Sequence, residues 1–220
     1  MQTYVSTLGF HSTRVTRPVL RHGVDAGDTV VLLRPIDDES GDRADEEITD
    51  IRRTIGEVSS DIEVRVEHVE HDDFDVTIRQ CLSILRSAEG DVITGFGGGP
   101  REIFLPFTIA VLVAHEELDR VFQFNDIDGS VSELALPDLM TPLSDQSLQT
   151  LARIEAHSGG TSLPQLADES DKSKSTLGRH LDELEAVGAI STDMDGKTRA
   201  VCLTLGGELR LYRRGISDGD

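Results

Sequence analysis

The chain has 220 residues, which is enough for one large domain or two small ones with adequate cores. Its 41 acidic residues outnumber 21 basic ones, and arginine is strongly preferred to lysine. Because the charges are dispersed along the chain, the net charge of −20 indicates a surface adapted to high salt, and it does not exclude nucleic acid as a partner. We therefore expect a protein of a halophilic organism.

The composition argues against membrane and disulfide-rich classes. The apolar run at 103–114 is too short to span a bilayer, and no basic and apolar leader opens the sequence. We therefore expect a cytoplasmic location and no membrane partner. Cys81 and Cys202 lie far apart without metal-type spacing, and the apolar helix pattern around Cys81 predicts a small core residue there.

Strand and helix patterns alternate through the first 140 residues. A continuous apolar strand at 29–34 is typical of strands that are buried on both faces, and the helix after it has one apolar face. Two further strands, at 121–124 and 131–136, are expected to turn at Asp128-Gly129. The fold class predicted is α/β: a Rossmann-like, mostly parallel sheet flanked by helices, with an antiparallel extension. The other predicted elements are strands at 2–8, 62–66 and 92–93, and helices at 11–24, 74–85 and 100–114.

The most distinctive stretch is 91–102, where a strand ends at Thr94 and a helix restarts near Pro100. Four of the residues at 95–99 are glycines, which let backbone N–H groups approach a ligand. Free N–H groups at the helix start favour an anion such as phosphate, and Arg101 can add a forked cation. If the first and fourth strands are neighbours, the loop after the first strand joins this site, because ligands of open sheets lie where strand order reverses. The predicted ligand-binding residues are Thr7, Leu8, Gly9, Phe10, His11, Thr94, Gly95, Phe96, Gly97, Gly98 and Arg101.

The residues of this glycine corner also admit other interpretations. It can be a tight strand-to-helix turn without a ligand, and Phe10 can be a packing residue. A dinucleotide fingerprint needs a third glycine at Pro100, and Gly196-Lys197-Thr198 lacks the earlier glycine of a Walker loop. A nicotinamide-dependent oxidoreductase is therefore disfavoured, and no cofactor is expected.

A short histidine cluster follows the third strand. His68 and His71 would point to opposite faces there, so a solvated loop is favoured over a metal site. No metal ligand and no catalytic residue is assigned.

A second domain is predicted after a proline-containing linker. Residues 1–140 carry 28 acidic and 12 basic residues, whereas residues 141–220 carry 13 and 9, and this shift marks a boundary. The predicted domains are 1–138 and 143–216. Ser144 is placed as an N-cap with Leu143 and Leu148 as a hydrophobic staple, and the segment from Ser162 to Gln165 forms a capping box.

The next helix has the faces of a DNA-recognition helix. Leu177, Leu181 and Leu184 share a core face, and short polar groups lie on the leading end. Two strand patterns flank Asp195-Gly196, a hairpin turn that would form a wing. A winged helix used only for protein contact remains the alternative. The predicted DNA-binding residues are Lys172, Lys174, Ser175, Thr176, Arg179, Lys197 and Arg199.

The two halves together resemble the archaeal CRISPR-associated transcriptional regulators, which join a CARF (CRISPR-associated Rossmann-fold) domain to a C-terminal winged helix-turn-helix. The resemblance covers nearly the whole chain. One departure is that Phe96 interrupts a corner that usually reads Thr-Gly-Gly-Thr, and that Gly99-Pro100 displace Arg101. The residues that carry the resemblance are Thr7-Leu8-Gly9-Phe10, Arg21-His22-Gly23, Ile93-Thr94-Gly95-Phe96-Gly97-Gly98 and the winged-helix pattern.

The resemblance implies a homodimer that senses a cyclic oligoadenylate, cyclic tetra-adenylate first, at a two-fold site, and that binds double-stranded promoter DNA of CRISPR-Cas genes. It therefore implies a regulator in antiviral defence and not an enzyme. The alternative is a ring nuclease that slowly cleaves the cyclic ligand, since such cleavage mainly needs a 2′-hydroxyl in line with its phosphate. His11 or Arg101 would then assist.

Overall fold

The computed structural model describes residues 1–36, 41–157, 160–195 and 198–215. The chain divides into two compact units, Met1–Leu136 and Pro137–Asp220. This division falls two residues before the end of the first predicted domain, inside the predicted linker region. Among the described residues, no helix is long and apolar enough to cross a membrane.

The first unit is a six-stranded sheet with helices on both faces. Its strands are ordered β3-β2-β1-β4-β5-β6; the first five are parallel, and β6 pairs antiparallel with β5. The predicted α/β fold and its antiparallel extension are therefore confirmed. The elements are β1 Gln2–Thr7, α1 Thr13–His22, β2 Thr29–Pro35, α2 Gly41–Gly56, β3 Glu63–Val69, α3 Phe74–Ser87, β4 Asp91–Phe96, α4 Arg101–Val113, a 3-10 turn His115–Glu117, β5 Arg120–Phe124 and β6 Val131–Glu133.

Alternation along the central strands divides the core into two layers. Tyr4, Val30 and Leu32 face the side covered by α1 and α2, while Val5 and Val31 face the side covered by α3 and α4. This explains the continuous apolar runs, since every position of a doubly covered strand is buried. Cys81 is fully buried in the second layer, as predicted, and burial raises the pKa of its thiol to about 12.

Some element boundaries differ from the predictions. The strand β4 does not end at Thr94; it continues to Phe96, because Gly95 and Phe96 still pair with Phe122 and Gln123 of β5. The helix α1 begins at Thr13 and not at residue 11, and it holds Pro18 as a buried residue within it.

The second unit is a helical domain closed by a three-stranded antiparallel sheet, ordered β7-β9-β8. The side chains of Ser144, Ser162 and Ser173 accept hydrogen bonds from the first turns of their helices, so the predicted caps at Ser144 and Ser162 are confirmed. The elements are α5 Asp145–Glu155, β7 Thr161–Ser162, α6 Leu163–Asp168, α7 Lys174–Ala186, β8 Ile190–Asp195, β9 Thr198–Leu203 and α8 Leu205–Arg214.

An ion pair ties the predicted linker to the last helix within this unit. The guanidinium of Arg210 lies 3.3 Å from the carboxylate of Asp138 and donates to the carbonyl oxygens of Asp138 and Thr141. Both charged side chains are at least nine-tenths buried. The predicted linker around Asp138 and Thr141 therefore packs as part of the second unit. The sequence patterns did not indicate this contact.

Candidate ligand and nucleic-acid sites

The strand order reverses between β1 and β4, which lie side by side at the centre of the sheet. Val5 pairs with Thr94 and Ser6 with Gly95, so both strands end at the same edge. The loop at 8–12 and the glycine corner at 97–100 therefore meet, as the prediction required. This edge is the position at which open α/β sheets hold their ligands.

The glycines of the corner let the two loops touch through their backbones. Gly98 and Gly99 have φ angles of +92° and +110°. A Cβ on Gly99 would lie 2.6 Å from the carbonyl oxygen of Leu8, and one on Gly97 would lie 2.8 Å from that of Thr7. The glycines thus have a packing role at this edge, in addition to the ligand role predicted for them.

The predicted ligand residues separate into a buried floor and an exposed rim. Thr7 and Thr94 are fully buried, and neither hydroxyl has a hydrogen-bond partner among the described residues. Leu8, Gly9 and Gly97 are also buried. These positions therefore shape the floor of the edge from beneath, and they offer little side-chain surface to a ligand.

The rim carries the exposed candidates. Phe10 is 41% exposed, and the guanidinium of Arg43 lies over its ring, 4.6 Å from the centroid. His11 and Arg101 are exposed as well, and Arg101 forms no hydrogen bond or ion pair with any described residue. The rim therefore carries a partly exposed aromatic ring with Arg43 over one face, and a cation without a partner among the described residues.

The start of α4 has the backbone geometry of an anion site. Its N-cap is Pro100, which makes no side-chain capping bond, while Ile103 and Phe104 donate their N–H groups to the Pro100 carbonyl. The N–H groups of Arg101 and Glu102, in the first turn, precede the intrahelical ladder and point out of the helix end. The glycine corner leads directly into this helix end, so phosphate oxygens at the corner would meet backbone donors.

A pocket of about 430 Å³ opens beside the corner, within the first unit. Arg14 and Asp126 form an ion pair of 2.9 Å in its wall. Phe96, the residue that interrupts the glycine run, contacts Phe104 edge to face at 5.7 Å between ring centroids. The lining residues are Arg14, Phe96, Gly97, Gly98, Phe104, Thr108, Leu112, Gln123, Phe124, Asp126, Leu134 and Leu136.

Sequence patterns missed Arg14, Gln123 and Asp126. They lie on α1, at the end of β5 and in the following loop, so only the strand order brings them together. Part of this site could have been predicted from the sequence. Once β5 is placed beside β4, the residues that follow its carboxyl end lie at the same edge of the sheet as the glycine corner.

The predicted recognition helix α7 has the expected two faces. Leu177, Leu181 and Leu184 are fully buried in the core of the second unit. Lys174, Ser175 and Arg179 are exposed on the other side, and Thr176 is half-buried, with its hydroxyl 3.0 Å from that of Ser173. The first two turns of the helix thus present polar and cationic groups outward.

Two of the other predicted DNA contacts have partners within the chain. The Lys172 ammonium donates to the carbonyl of Gln146 at 3.4 Å, and the Arg199 guanidinium pairs with Asp182 at 2.8 Å and with Glu185. Arg199 therefore joins β9 to α7 in this structure. Lys197 and Gly196, at the predicted hairpin turn, lie outside the described residues.

A buried histidine on α7 contacts the neighbouring helix α5. The ring Nδ1 of His180 lies 2.9 Å from the hydroxyl of Thr150 on α5, and the side chain is 2% exposed. Burial lowers the pKa of His180, and the positive charges of Lys172 and Arg179 lower it further. Burial and the neighbouring charges therefore both favour the neutral form of the ring.

The two units define a class: a Rossmann-like domain with a mostly parallel sheet, followed by a helical domain with a three-stranded antiparallel sheet. Within this class, residues 2–132 match the family described as the Csa3 CRISPR-associated Rossmann-like domain. This match covers more than half of the chain, so the chain belongs to the Csa3 family of CRISPR-associated proteins. The resemblance noted in the sequence is thereby confirmed.

The chain is also similar to one named relative and to two solved structures. A CRISPR locus-related Csa3 protein of Saccharolobus solfataricus, named as a candidate DNA-binding protein, is 25% identical over 211 residues, which cover 91% of this chain and 84% of that protein. Csm6 of Enterococcus italicus, solved bound to cyclic hexa-2′-fluoro-hexa-dAMP, is 13% identical at a TM-score of 0.48, covering 86% of this chain and 55% of that one. AF1382 of Archaeoglobus fulgidus is 15% identical at a TM-score of 0.30, covering 36% of this chain and 93% of that one.

Proposed function

We propose that this chain is a homodimeric transcription regulator of CRISPR-Cas genes whose DNA binding responds to a cyclic oligoadenylate, cyclic tetra-adenylate first. The observation that carries the proposal is the pairing of two features in one chain. A glycine corner at the strand-order reversal leads into a helix start without a side-chain cap, and a second unit exposes the polar end of a recognition-type helix.

The ligand half of the proposal rests on phosphate chemistry. Backbone N–H groups at the start of α4 favour an anion. Arg101 is free of partners among the described residues, and Arg14 lies against Gly98, so two cations are at hand for phosphate oxygens. Phe10 adds an aromatic face on which a base can stack once Arg43 moves aside.

The dimer half rests on the exposed side of α4. Leu105 is 52% exposed and Ile109 is 37% exposed, while Ile103 and Phe107 on the opposite side are fully buried. A helix that is apolar all round is usually covered on both sides. A second copy of the chain that packs on Leu105 and Ile109 would place two glycine corners near one two-fold axis, where a symmetric cyclic ligand fits.

The DNA half rests on α7. Lys174, Ser175 and Arg179 have the types and exposure that base edges and phosphates require. In a dimer, the separation of two such helices decides which half-site spacing is bound, and a ligand that changes this separation changes the affinity for the operator.

A mobility-shift assay on the CRISPR promoter region of the source organism, with and without cyclic tetra-adenylate, tests the proposal. We expect binding to differ between the two conditions at a fixed salt concentration. Because counterion release contributes less at high salt, the assay is repeated over a range of salt from low to near-molar. Absence of binding in both conditions at every salt concentration contradicts the regulator proposal.

The second candidate function is slow cleavage of the same ligand. The exposed His11 at the rim favours it, since an imidazole there can assist an in-line attack by a 2′-hydroxyl. Incubation with labelled cyclic tetra-adenylate separates the two functions. Linear products that are lost in the His11→Ala variant support the nuclease, whereas intact ligand after long incubation supports a sensor alone.

A further inference from the structure

The pocket beside the glycine corner has the size and chemistry of a nucleobase site. Its volume of about 430 Å³ lies within the range of small-molecule sites, roughly 300–1,000 Å³. Phe96, Phe104 and Phe124 line the pocket and are half-buried, so their rings are not fully covered by the rest of the chain. A planar nucleobase can stack on such side chains. Stacking of this kind tolerates any base, so it does not by itself select one.

The polar groups of the wall differ in what remains available to a ligand. The hydroxyl of Thr108 donates to the Phe104 carbonyl at 2.8 Å, and the carboxylate of Asp126 is held by Arg14. The side chain of Gln123 is exposed and makes no hydrogen bond with any described residue. The Gln123 amide is therefore the free recognition group of this pocket, and it offers both a donor and an acceptor.

This distribution favours adenine over guanine. An amide pairs bidentately with adenine, accepting from the N6 amine and donating to N7. Guanine presents two neighbouring donors that suit a carboxylate, and the carboxylate of Asp126 would have to leave Arg14 to receive them. An adenine ring leaves that ion pair in place.

The position of the pocket connects it to the phosphate site. Gly97 and Gly98 line the pocket and belong to the glycine corner. Arg14 also lines the pocket, and it lies against Gly98. A nucleotide with its phosphate on the corner can therefore place its base in the pocket, against the phenylalanine side chains of its wall.

We propose that this pocket binds one adenine base per subunit and that Gln123 is the residue that selects adenine. This inference rests on the proposed sensing of a cyclic oligoadenylate. It adds the residue that reads the base, which the phosphate contacts at the corner do not do.

Calorimetric titration of the full chain with cyclic tetra-adenylate and cyclic tetra-inosinate tests the inference, since inosine replaces the N6 amine with a carbonyl. We expect the wild type to prefer the adenylate by about tenfold or more, as one bidentate pair provides. Gln123→Leu keeps the size of the side chain and removes its hydrogen bonds, so it should bring the two affinities within about threefold. The matched control is Gln149→Leu, the same change at an exposed position of the second unit, and it should keep the preference.

The outcomes separate the two proposals. If the wild type binds cyclic tetra-adenylate and Gln123→Leu keeps the full preference, the inference is overturned while ligand sensing stands. If the wild type binds cyclic tetra-inosinate as tightly as cyclic tetra-adenylate or more tightly, the assignment of adenine is wrong. If the wild type binds none of these rings, both proposals fail. Thermal unfolding of each variant confirms that a lost preference does not come from a lost fold.

Discussion

Substitution of Gly99 tests whether the two loops at the sheet edge are in backbone contact. Gly99→Ala adds one Cβ to a residue with φ of +110°, and that atom would lie 2.6 Å from the carbonyl oxygen of Leu8. The variant therefore has two costs, a left-handed backbone and a steric clash. Gly23→Ala is the matched control, because Gly23 has φ of +101° and a Cβ there would meet no atom within 4 Å.

The structure allows the two costs to be separated. A residue with a Cβ at such a positive φ costs about 1–3 kcal/mol, and both variants should lose unfolding free energy of this order. The clash in Gly99→Ala forces the carbonyl of Leu8, which is backbone, to move, and overpacking of this kind costs about 1–3 kcal/mol more. Gly99→Ala should therefore be less stable than Gly23→Ala by about 1–3 kcal/mol.

Chemical denaturation followed by far-UV circular dichroism measures the difference, since the chain has no tryptophan. The slope of free energy against denaturant should be the same in both variants, so that the midpoints compare directly. Gly99→Ala should also weaken binding of cyclic tetra-adenylate, while Gly23→Ala should not. Equal unfolding free energies for the two variants would refute the contact between the loops.

Three further predictions concern DNA reading, pH and assembly. Arg179→Ala should reduce the preference for the operator over random DNA in competition shift assays. The control Arg65→Ala removes the same charge from the exposed edge strand β3 and should leave that preference unchanged. If Arg179→Ala instead lowers the affinity equally for all sequences, Arg179 contacts only phosphate. Since the pKa of His180 is lowered in the folded chain, the unfolded chain binds the extra proton, and stability should fall as the pH drops below about 6.5. The denaturation midpoint of His180→Gln should therefore depend less on pH than that of the wild type, and an unchanged dependence would contradict this. Leu105→Glu together with Ile109→Glu should shift the molar mass measured by light scattering from the proposed dimer to a monomer, while far-UV circular dichroism shows that the fold is kept. A dimer that persists in this variant would exclude this face of α4 as the interface.

Phe96 shows why a departure in a motif is hard to interpret from residues alone. In the sequence it interrupts the glycine run, so the corner departs from the Thr-Gly-Gly-Thr pattern that the resemblance leads one to expect. In the structure it ends β4, contacts Phe104 and Phe107, and lines the pocket beside the corner. Its packing partners lie in the following helix, so the residue contributes to the wall of the pocket.

Arg101 and Arg14 make the same point about cations. Arg101 stood out because it follows the glycines directly, and it remains an exposed residue at the start of α4. Arg14 had no such neighbourhood in sequence, yet it lies against Gly98 and pairs with Asp126. Nothing in a helix pattern reveals which arginine faces a loop from a distant strand.

The sequence alone determined the features that depend on near neighbours: the alternation of strands and helices, the serine caps, the buried leucines of α7 and the glycine corner before α4. These follow from periodicity and from backbone hydrogen bonding within a few residues. Only the tertiary structure decided the features that depend on strand order, because residues far apart in the chain come together by sheet pairing and core packing. The contact of the two loops, the pairs Arg14–Asp126 and Arg210–Asp138, and the place of Gln123 in the pocket are of this kind.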